Sequence, residues 1–337
     1  MVSKALADVA WGVIGCGDVV EHKSGPPLAS APGSRIAAVM RRDAGRAAAF
    51  AARMGVPAWY DDVDALLADP NVNAIYVATP TNSHADLTVR ALRSGRPVLV
   101  EKPMALDTAE ATRMVNAAAA LQLPLFVAYY RRTLPRFEAM RALIQSGELG
   151  EARGISIIHN RPAHFAPRHA WKVDPEANGG GLFMDTEVHT LDWLDHVFGA
   201  PSEVQSTVRR HGNGVAEDLV AYQLTWADGP VANGFYCFGA APAQDLLTVY
   251  GSRATASMGV FDKTPITVTR LDGSVETIER PDPAHVHQHL IERIVDELRG
   301  GPPAPSRGID GVRTVAVVDR IYADWRSVPV RRLASAT

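Results

Sequence analysis

Asp185, His189 and Asp192 occupy positions i−4, i and i+3 of a segment whose apolar spacing predicts a helix over residues 183–198. On a helix the three share one face. An imidazole titrates near neutrality and can take or return a proton there. A carboxylate one turn away is expected to orient the ring and stabilise its protonated form. Lys102 follows a short apolar strand, residues 97–100, in the run Glu101-Lys102-Pro103-Met104. An ammonium at the C-terminal edge of a strand can donate to an oxygen on which charge develops, and Pro103 stiffens the turn behind it. Glu187, at i−2 from His189, falls on another face of the helix, and no second histidine lies at His-x-x-x-His spacing. No metal centre is therefore expected. His285, His287 and His289 alternate ahead of a late helix and are expected to be a solvated cluster.

Proton exchange beside a charge-stabilising lysine suits the interconversion of an alcohol and a carbonyl, which needs a hydride carrier. A place for one is written near the N-terminus. The apolar run 10–14 ends at Gly15-Cys16-Gly17, and Asp18 and Val19 open a helical segment. Gly15 permits a tight turn, Gly17 lets a pyrophosphate approach the backbone, and the helix start offers free N–H groups to the anion. The third glycine of the full fingerprint is replaced by Val20. The second strand, residues 36–40, ends in Arg41-Arg42-Asp43 rather than in the acid that would hold the ribose hydroxyls of NAD. Guanidinium groups pair with a 2′-phosphate, so NADP is expected in preference to NAD.

The elements that must carry these residues follow from periodicity and punctuation. Strands are expected at 10–14, 36–40, 74–78, 97–100 and 125–128. Helices are expected at 44–54, 84–94 and 108–121, with Gly55 and Gly95 as stops. Short apolar runs alternating with helices imply a parallel sheet covered on both faces. After residue 127 the character changes. Helices are expected at 133–146, 183–198, 287–299 and 310–325. Strand-like runs are expected at 154–159, 204–209, 219–226, 231–238, 245–251, 255–260 and 266–270. The fold class is thus α/β: an N-terminal Rossmann domain, residues 1–127, and a C-terminal α+β domain, residues 128–337, with a large, mostly antiparallel open sheet for substrate binding and oligomerisation. The 337 residues suit two domains.

Net charge of −3 and the absence of a long basic run leave no electrostatic footprint for nucleic acid. No apolar stretch is long enough to span a bilayer. Two cysteines, and an N-terminus lacking a basic and apolar leader over residues 1–10, suit a reducing cytoplasm.

Several motifs in this order carry a resemblance. They are Ala78-Thr79-Pro80-Thr81-Asn82-Ser83-His84, the Glu101-Lys102-Pro103 run, and Gly179-Gly180-Gly181 followed by Asp185, His189 and Asp192. Together they resemble the glucose–fructose oxidoreductase/inositol dehydrogenase family, written Gfo/Idh/MocA. The resemblance implies an NAD(P)-linked enzyme acting on sugars, inositols or related polyols, with an open sheet that often joins protomers into a homodimer or homotetramer. It implies that Lys102 and Glu101 stand beside the nicotinamide, that His189 is the acid/base group with Asp185 a turn earlier, and that Thr79, Pro80 and His84 form a cofactor loop. Tyr130 and Arg131, at the domain junction, and Trp171 and Lys172, before the glycine run, resemble substrate-lining positions. Glu187 departs from the small residue usual two before the histidine and is expected to set a carboxylate near the site mouth. Two other functions fit such a chain: a retained-NAD enzyme that cleaves glycosidic bonds, and a non-catalytic dinucleotide sensor.

Overall fold

The structure is a computed structural model that describes residues 5–162, 171–211 and 215–327. Met1 to Lys4 of the N-terminal segment considered above lie outside those residues. The first sheet and its helices run β1 (Val9–Ile14), α1 (Gly25–Ser30), β2 (Ser34–Met40), α2 (Ala44–Met54), β3 (Ala58–Tyr60), α3 (Val63–Ala68), β4 (Ala74–Val77), α4 (His84–Arg93), β5 (Val98–Val100), α5 (Thr108–Leu121) and β6 (Leu125–Val127). Asp43, Asp62 and Asp107 cap α2, α3 and α5 by accepting the N–H of the residue three further on. Gly55 ends α2 with φ +66, a left-handed geometry that glycine adopts without strain. All six residues of β1 are buried, as a strand covered on both faces requires.

The six strands are parallel in the order β3-β2-β1-β4-β5-β6. The chain reverses direction across the sheet between β1 and β4, and a crevice opens there at the C-terminal strand ends. Two elements of this half were not expected. The edge strand β3 has only three residues, none fully buried, and α3 is a six-residue helix. Both are too short to show a period.

The second half contains α6 (Pro135–Gln145), β7 (Ala152–Arg161), α7 (Pro175–Asn178), α8 (Leu182–Phe198), β8 (Glu203–Arg209), β9 (Leu219–Thr225), β10 (Val231–Phe238), β11 (Gln244–Gly251), β12 (Ala254–Met258), β13 (Ile266–Arg270), β14 (Val275–Ile278), α9 (Gln288–Leu298) and α10 (Gly308–Ser327). The eight strands form one sheet, β14-β13-β12-β11-β7-β10-β9-β8. Only β7 and β10 are parallel neighbours. One face, with Ile155, Ile157, Val220, Tyr222, Leu224 and Tyr236, is buried in the same core as Phe183, Val188 and Leu191 of α8. On the other face Leu246, Ile158, Phe235 and Ala221 are successive cross-strand neighbours on β11, β7, β10 and β9. Phe235, Leu246 and Tyr250 remain exposed.

The helices α9 and α10 do not stay with the second sheet. Leu290, Ile291, Ile294 and Val295 of α9 pack against Trp11, Val39, Tyr76, Leu99 and Phe126, one face of the first sheet. Val315 and Val318 of α10 join the core that covers its other face. The first sheet is therefore completed by the last elements of the chain.

The Gly179–Gly181 run is explained by close packing. A side chain at Gly180 would meet the Tyr322 ring at 2.8 Å, and one at Gly181 would meet Glu217 at 2.9 Å. Glu217 accepts the Gly181 N–H at 2.8 and 2.9 Å, the Phe183 N–H at 3.2 Å and the Tyr322 hydroxyl at 2.8 Å. It supplies from a distant loop the acceptor that the start of α8 lacks locally. Burial pushes its pKa up to about 7 against those hydrogen bonds.

Candidate active site

Lys102 and Asp185 meet where β5 of the first sheet faces α8 of the second half. The Lys102 ammonium donates to the Asp185 backbone carbonyl at 2.6 Å and to its carboxylate at 3.1 Å. The other carboxylate oxygen accepts from Lys172 at 2.8 Å. Burial opposes ionisation of Asp185, yet the two ammonium groups hold its carboxyl well below the usual carboxylate range. Burial likewise opposes the charge on Lys102, and Asp185 more than offsets it, so the lysine pKa is raised. The site thus keeps a lysine that remains protonated at neutral pH and whose position is fixed. Lys172 also lies over the Trp171 ring, 5.7 Å from its centroid.

His189 is buried, and its Nδ1 has no hydrogen-bond partner among the described residues. The expected carboxylate behind it is not there. Asp185 is held by the two lysines, and Asp192 accepts from Arg132 at 2.7 to 3.0 Å. Arg132 further pairs with Asp195 at 3.4 Å and Asp310 at 3.3 Å, a buried cluster that joins the end of β6 to α8 and α10. Burial first, then the charges of Arg131 and Lys102, push the His189 pKa well below the ordinary histidine value. The ring is positioned by aromatic contacts, with Tyr130 at 4.5 Å and Tyr129 at 6.3 Å between centroids.

Glu187 is also displaced from its expected place. It is fully buried and accepts from the hydroxyls of Tyr222 and Tyr236 on the second sheet, away from the site mouth. Every side of α8 is covered, so a residue facing away from His189 enters the core rather than solvent.

His287 was expected to be solvated and is instead buried. Its Nε2 lies 3.0 Å from Glu101 and its ring 4.7 Å from Tyr130. Glu101 also accepts from the Tyr76 hydroxyl and, at 3.1 Å, from the Lys102 N–H. Burial disfavours its charge, but His287 and these bonds prevail and lower its pKa to about 2. The alternating histidines held no sequence signal that one of them turns inward. His285 and His289 meet backbone carbonyls, His22 O at 3.2 Å and Thr133 O at 3.1 Å.

The crevice between β1 and β4 has the form expected for a dinucleotide. Gly15 has φ +94, and a side chain there would meet Ala78 O and Thr79 at 2.7 Å. A side chain at Gly17 would meet nothing within 4 Å, which leaves its backbone open to a ligand. Asp18 and Val19 begin the helical turn. Arg41 donates to the Cys16 carbonyl at 3.2 Å, placing a guanidinium beside the loop. Arg42 is exposed. Asp43, the nearest acid, accepts the Arg46 N–H at 3.0 Å as the cap of α2. On the β4 side, Thr79 accepts from Ser83 at 2.7 Å and Pro80 is exposed. The buried His84 ring spans the Thr79 and Pro103 carbonyls, both at 2.8 Å, and so ties this loop to the one carrying Lys102. Burial lowers the His84 pKa even though both carbonyls favour its charged form.

A doubly wound parallel sheet that carries an open glycine turn and a lysine at its C-terminal edge, facing a histidine from a second α/β unit, defines a dinucleotide-binding oxidoreductase. The chain belongs to the Gfo/Idh/MocA family. Residues 9–129 match the family's oxidoreductase domain with NAD-binding Rossmann fold, and residues 137–257 match its C-terminal domain. It is 34% identical over 291 residues to an oxidoreductase of Formosa agariphila, covering 85% of this chain and 90% of that one. It is 28% identical to a 1,5-anhydro-D-fructose reductase of Ensifer adhaerens, covering 91% and 93%. An aldose–aldose oxidoreductase from Caulobacter crescentus, solved with glycerol, shares the fold with a TM-score of 0.85 at 22% identity, covering 95% and 98%. Among the described residues no helix is long and apolar enough to cross a membrane.

Burial pushes the Glu187 carboxyl from 4.5 up to about 8. Between those values the folded chain holds a proton that the unfolded chain has released. This group's contribution to stability is therefore greatest below about pH 4.5 and is lost as pH rises to about 8. Glu187→Gln keeps the shape without the charge. It is expected to flatten the decline between pH 5 and pH 9 and to gain on the order of 2 to 4 kcal/mol at the upper end. Denaturant unfolding at both pH values reads this, and an unchanged slope refutes it.

Proposed function

We propose that this oxidoreductase interconverts a secondary alcohol and a ketone on a polyhydroxylated, sugar-like substrate, using NADP in preference to NAD. The observation that carries the reading is that Lys102, at the C-terminal edge of the first sheet, is locked onto Asp185, one helical turn before the buried His189. Similarity to a 1,5-anhydro-D-fructose reductase supports the substrate class. The nicotinamide, when bound, supplies or accepts the hydride. Gly15, Gly17, Asp18, Val19, Thr79, Pro80 and the His84-braced loop would hold the dinucleotide, with Glu101 behind Lys102. We assign the cofactor to residues 1–127 and the substrate to residues 128–337.

Within this assignment the Lys102 ammonium donates a hydrogen bond to the reacting oxygen and stabilises negative charge on it. His189 is neutral at pH 7 and accepts the hydroxyl proton during oxidation, returning it during reduction. Its low basicity rises when negative charge forms on the neighbouring oxygen, so proton acceptance is coupled to the step that needs it. Asp185 positions Lys102. Tyr130 supports the imidazole from one side, and Trp171 and Lys172 line the approach.

His189→Asn and Lys102→Met are each expected to lower kcat by about 100-fold or more, with NADPH affinity retained. Together they are expected to cost less than the product of the two, because both act on one oxygen. Steady-state kinetics on a responsive sugar or polyol, with cofactor binding followed by fluorescence, checks this. Near-full turnover in His189→Asn refutes the proton role.

For the cofactor, Arg41→Ala with Arg42→Ala is expected to weaken NADPH by roughly 10-fold or more and to leave NADH within about two-fold, since charge-assisted contacts to a phosphate contribute on this scale. Equal affinity of the unaltered protein for the two cofactors refutes the preference.

The apolar row Leu246, Ile158, Phe235 and Ala221 on the open sheet face supports a homodimer, or a homotetramer built from such dimers, closed through this face. Light scattering at micromolar concentration is expected to give at least the dimer mass, and Phe235→Lys is expected to lower it. A monomer in the unaltered protein refutes the assembly.

A further inference from the structure

Three arginines, Arg131, Arg132 and Arg136, lie close together in the chain after β6, and all are buried. Two have the partners a buried guanidinium requires. Arg132 is held by Asp192, Asp195, Asp310 and the Pro305 carbonyl. Arg136 donates to the Gly259, Val260 and Asp262 carbonyls and pairs with Asp282 at 3.3 Å. Arg131 differs. It is only 2% exposed, and its Nε and Nη1 meet no acceptor among the described residues. Its guanidinium is instead fixed by rings, 4.3 Å from the Phe261 centroid and 5.3 Å from that of Phe137. Such stacking holds the planar group but leaves its in-plane N–H fork free.

The carboxylates that could have served Arg131 are engaged elsewhere. Glu187 accepts from two tyrosines. Asp245 takes the His159 ring at 3.2 Å and the Phe261 and Asp262 N–H groups at 2.6 Å. Asp185 is shared by two lysines. His159, whose ring packs on the same Phe261 at 4.4 Å, also keeps its Nε2 without a partner. A buried guanidinium without an anion is unfavourable, and among the described residues none is bonded to this one.

We propose that the substrate supplies that anion: the Arg131 fork, next in sequence to the Tyr130 ring that touches His189, is the recognition point for a carboxylate on a polyhydroxylated acid. The substrate class narrows from sugar-like polyols to sugar acids, a narrowing that rests on the function proposed above. The field at the site agrees with this. After burial, the cationic Arg131 and Lys102 are what lower the His189 pKa, so the charges of this pocket favour an anion. A carboxylate accepts the two parallel N–H groups of an arginine side by side, which a hydroxyl cannot do.

Matched pairs test the proposal: D-gluconate against D-glucitol, and D-xylonate against xylitol, titrated calorimetrically into the NADPH-loaded protein. Each acid is expected to bind at least 10-fold more tightly than its alcohol. Arg131→Met, which keeps the packing between the phenyl rings, is expected to remove that advantage and to leave NADPH binding unchanged. Arg131→Lys is expected to recover only part of it, because a single ammonium lacks the fork. Equal affinity within each pair for the unaltered protein, or no binding of either acid, overturns the proposal whether or not the variants fold. So does an Arg131→Met variant that still favours the acids. With NADP+ in place of NADPH, absorbance at the nicotinamide band separates this from the reaction itself. Hydride transfer that ignores the carboxylate overturns the anion site alone. Arg131-dependent binding of the acids, with no hydride transfer from any sugar, polyol or acid, leaves the anion site standing and overturns the proposed reaction.

Discussion

One carboxylate held between two ammonium groups organises this molecule. Asp185 reaches Lys102 at the edge of the first sheet and Lys172 ahead of the glycine run, while its own backbone belongs to α8. Three parts of the chain that are distant in sequence thereby share one ionic contact in a buried place. Removing Asp185 would leave the Lys102 ammonium without its countercharge in a largely buried place, and such a charge is far more costly than the net worth of the pair. The position of Lys102 relative to α8, and therefore relative to His189, follows from this contact. The loops around it are fixed in the same way: His84 bridges two carbonyls, and Thr81 donates to Asn178 at 2.9 Å across the junction.

The packing of α8 explains why the polar residues along it behave so differently. Twelve of its residues are buried, including Asp185, Glu187, His189, Asp192 and Asp195. Each buried acid requires its own solution. Asp185 takes lysines, Glu187 takes phenols and the protonated form, and Asp192 and Asp195 take arginines. The buried His189 has no carboxylate bonded to it among the described residues, and on the proposed mechanism it is the group on this helix that exchanges a proton with the substrate. The Gly179–Gly181 run serves the same end, since it lets Glu217 and Tyr322 approach the start of this helix.

The local features of the sequence were readable because their causes are local. The bounds of α2 and α5, the stop at Gly55, the turn at Gly15 and the strand before Lys102 follow from caps, apolar runs and backbone freedom within a few residues. The second sheet was legible as alternation, apart from the exposed β14. What could not be read was the far partner of each polar side chain. Helical spacing places Asp185, His189 and Asp192 on one face but does not say what that face meets, and here Arg132 and the lysines reach the carboxylates first. His287 is a similar case, because its burial depends on Glu101, nearly two hundred residues earlier in the chain. The aromatic brackets of Arg131 depend on Phe261, which no spacing rule connects to it.

The return of α9 to the first sheet has a consequence for how the molecule is made. Trp11, Val39, Tyr76 and Phe126 are synthesised well over a hundred residues before Leu290 to Val295, which cover them. The nucleotide-binding half therefore cannot mature on the ribosome as a finished unit. It must wait, with an apolar face open, while the whole second sheet is synthesised, and contacts of such long sequence separation slow folding and invite non-native association. A chain that stalls before α9 would present that face to chaperones and proteases.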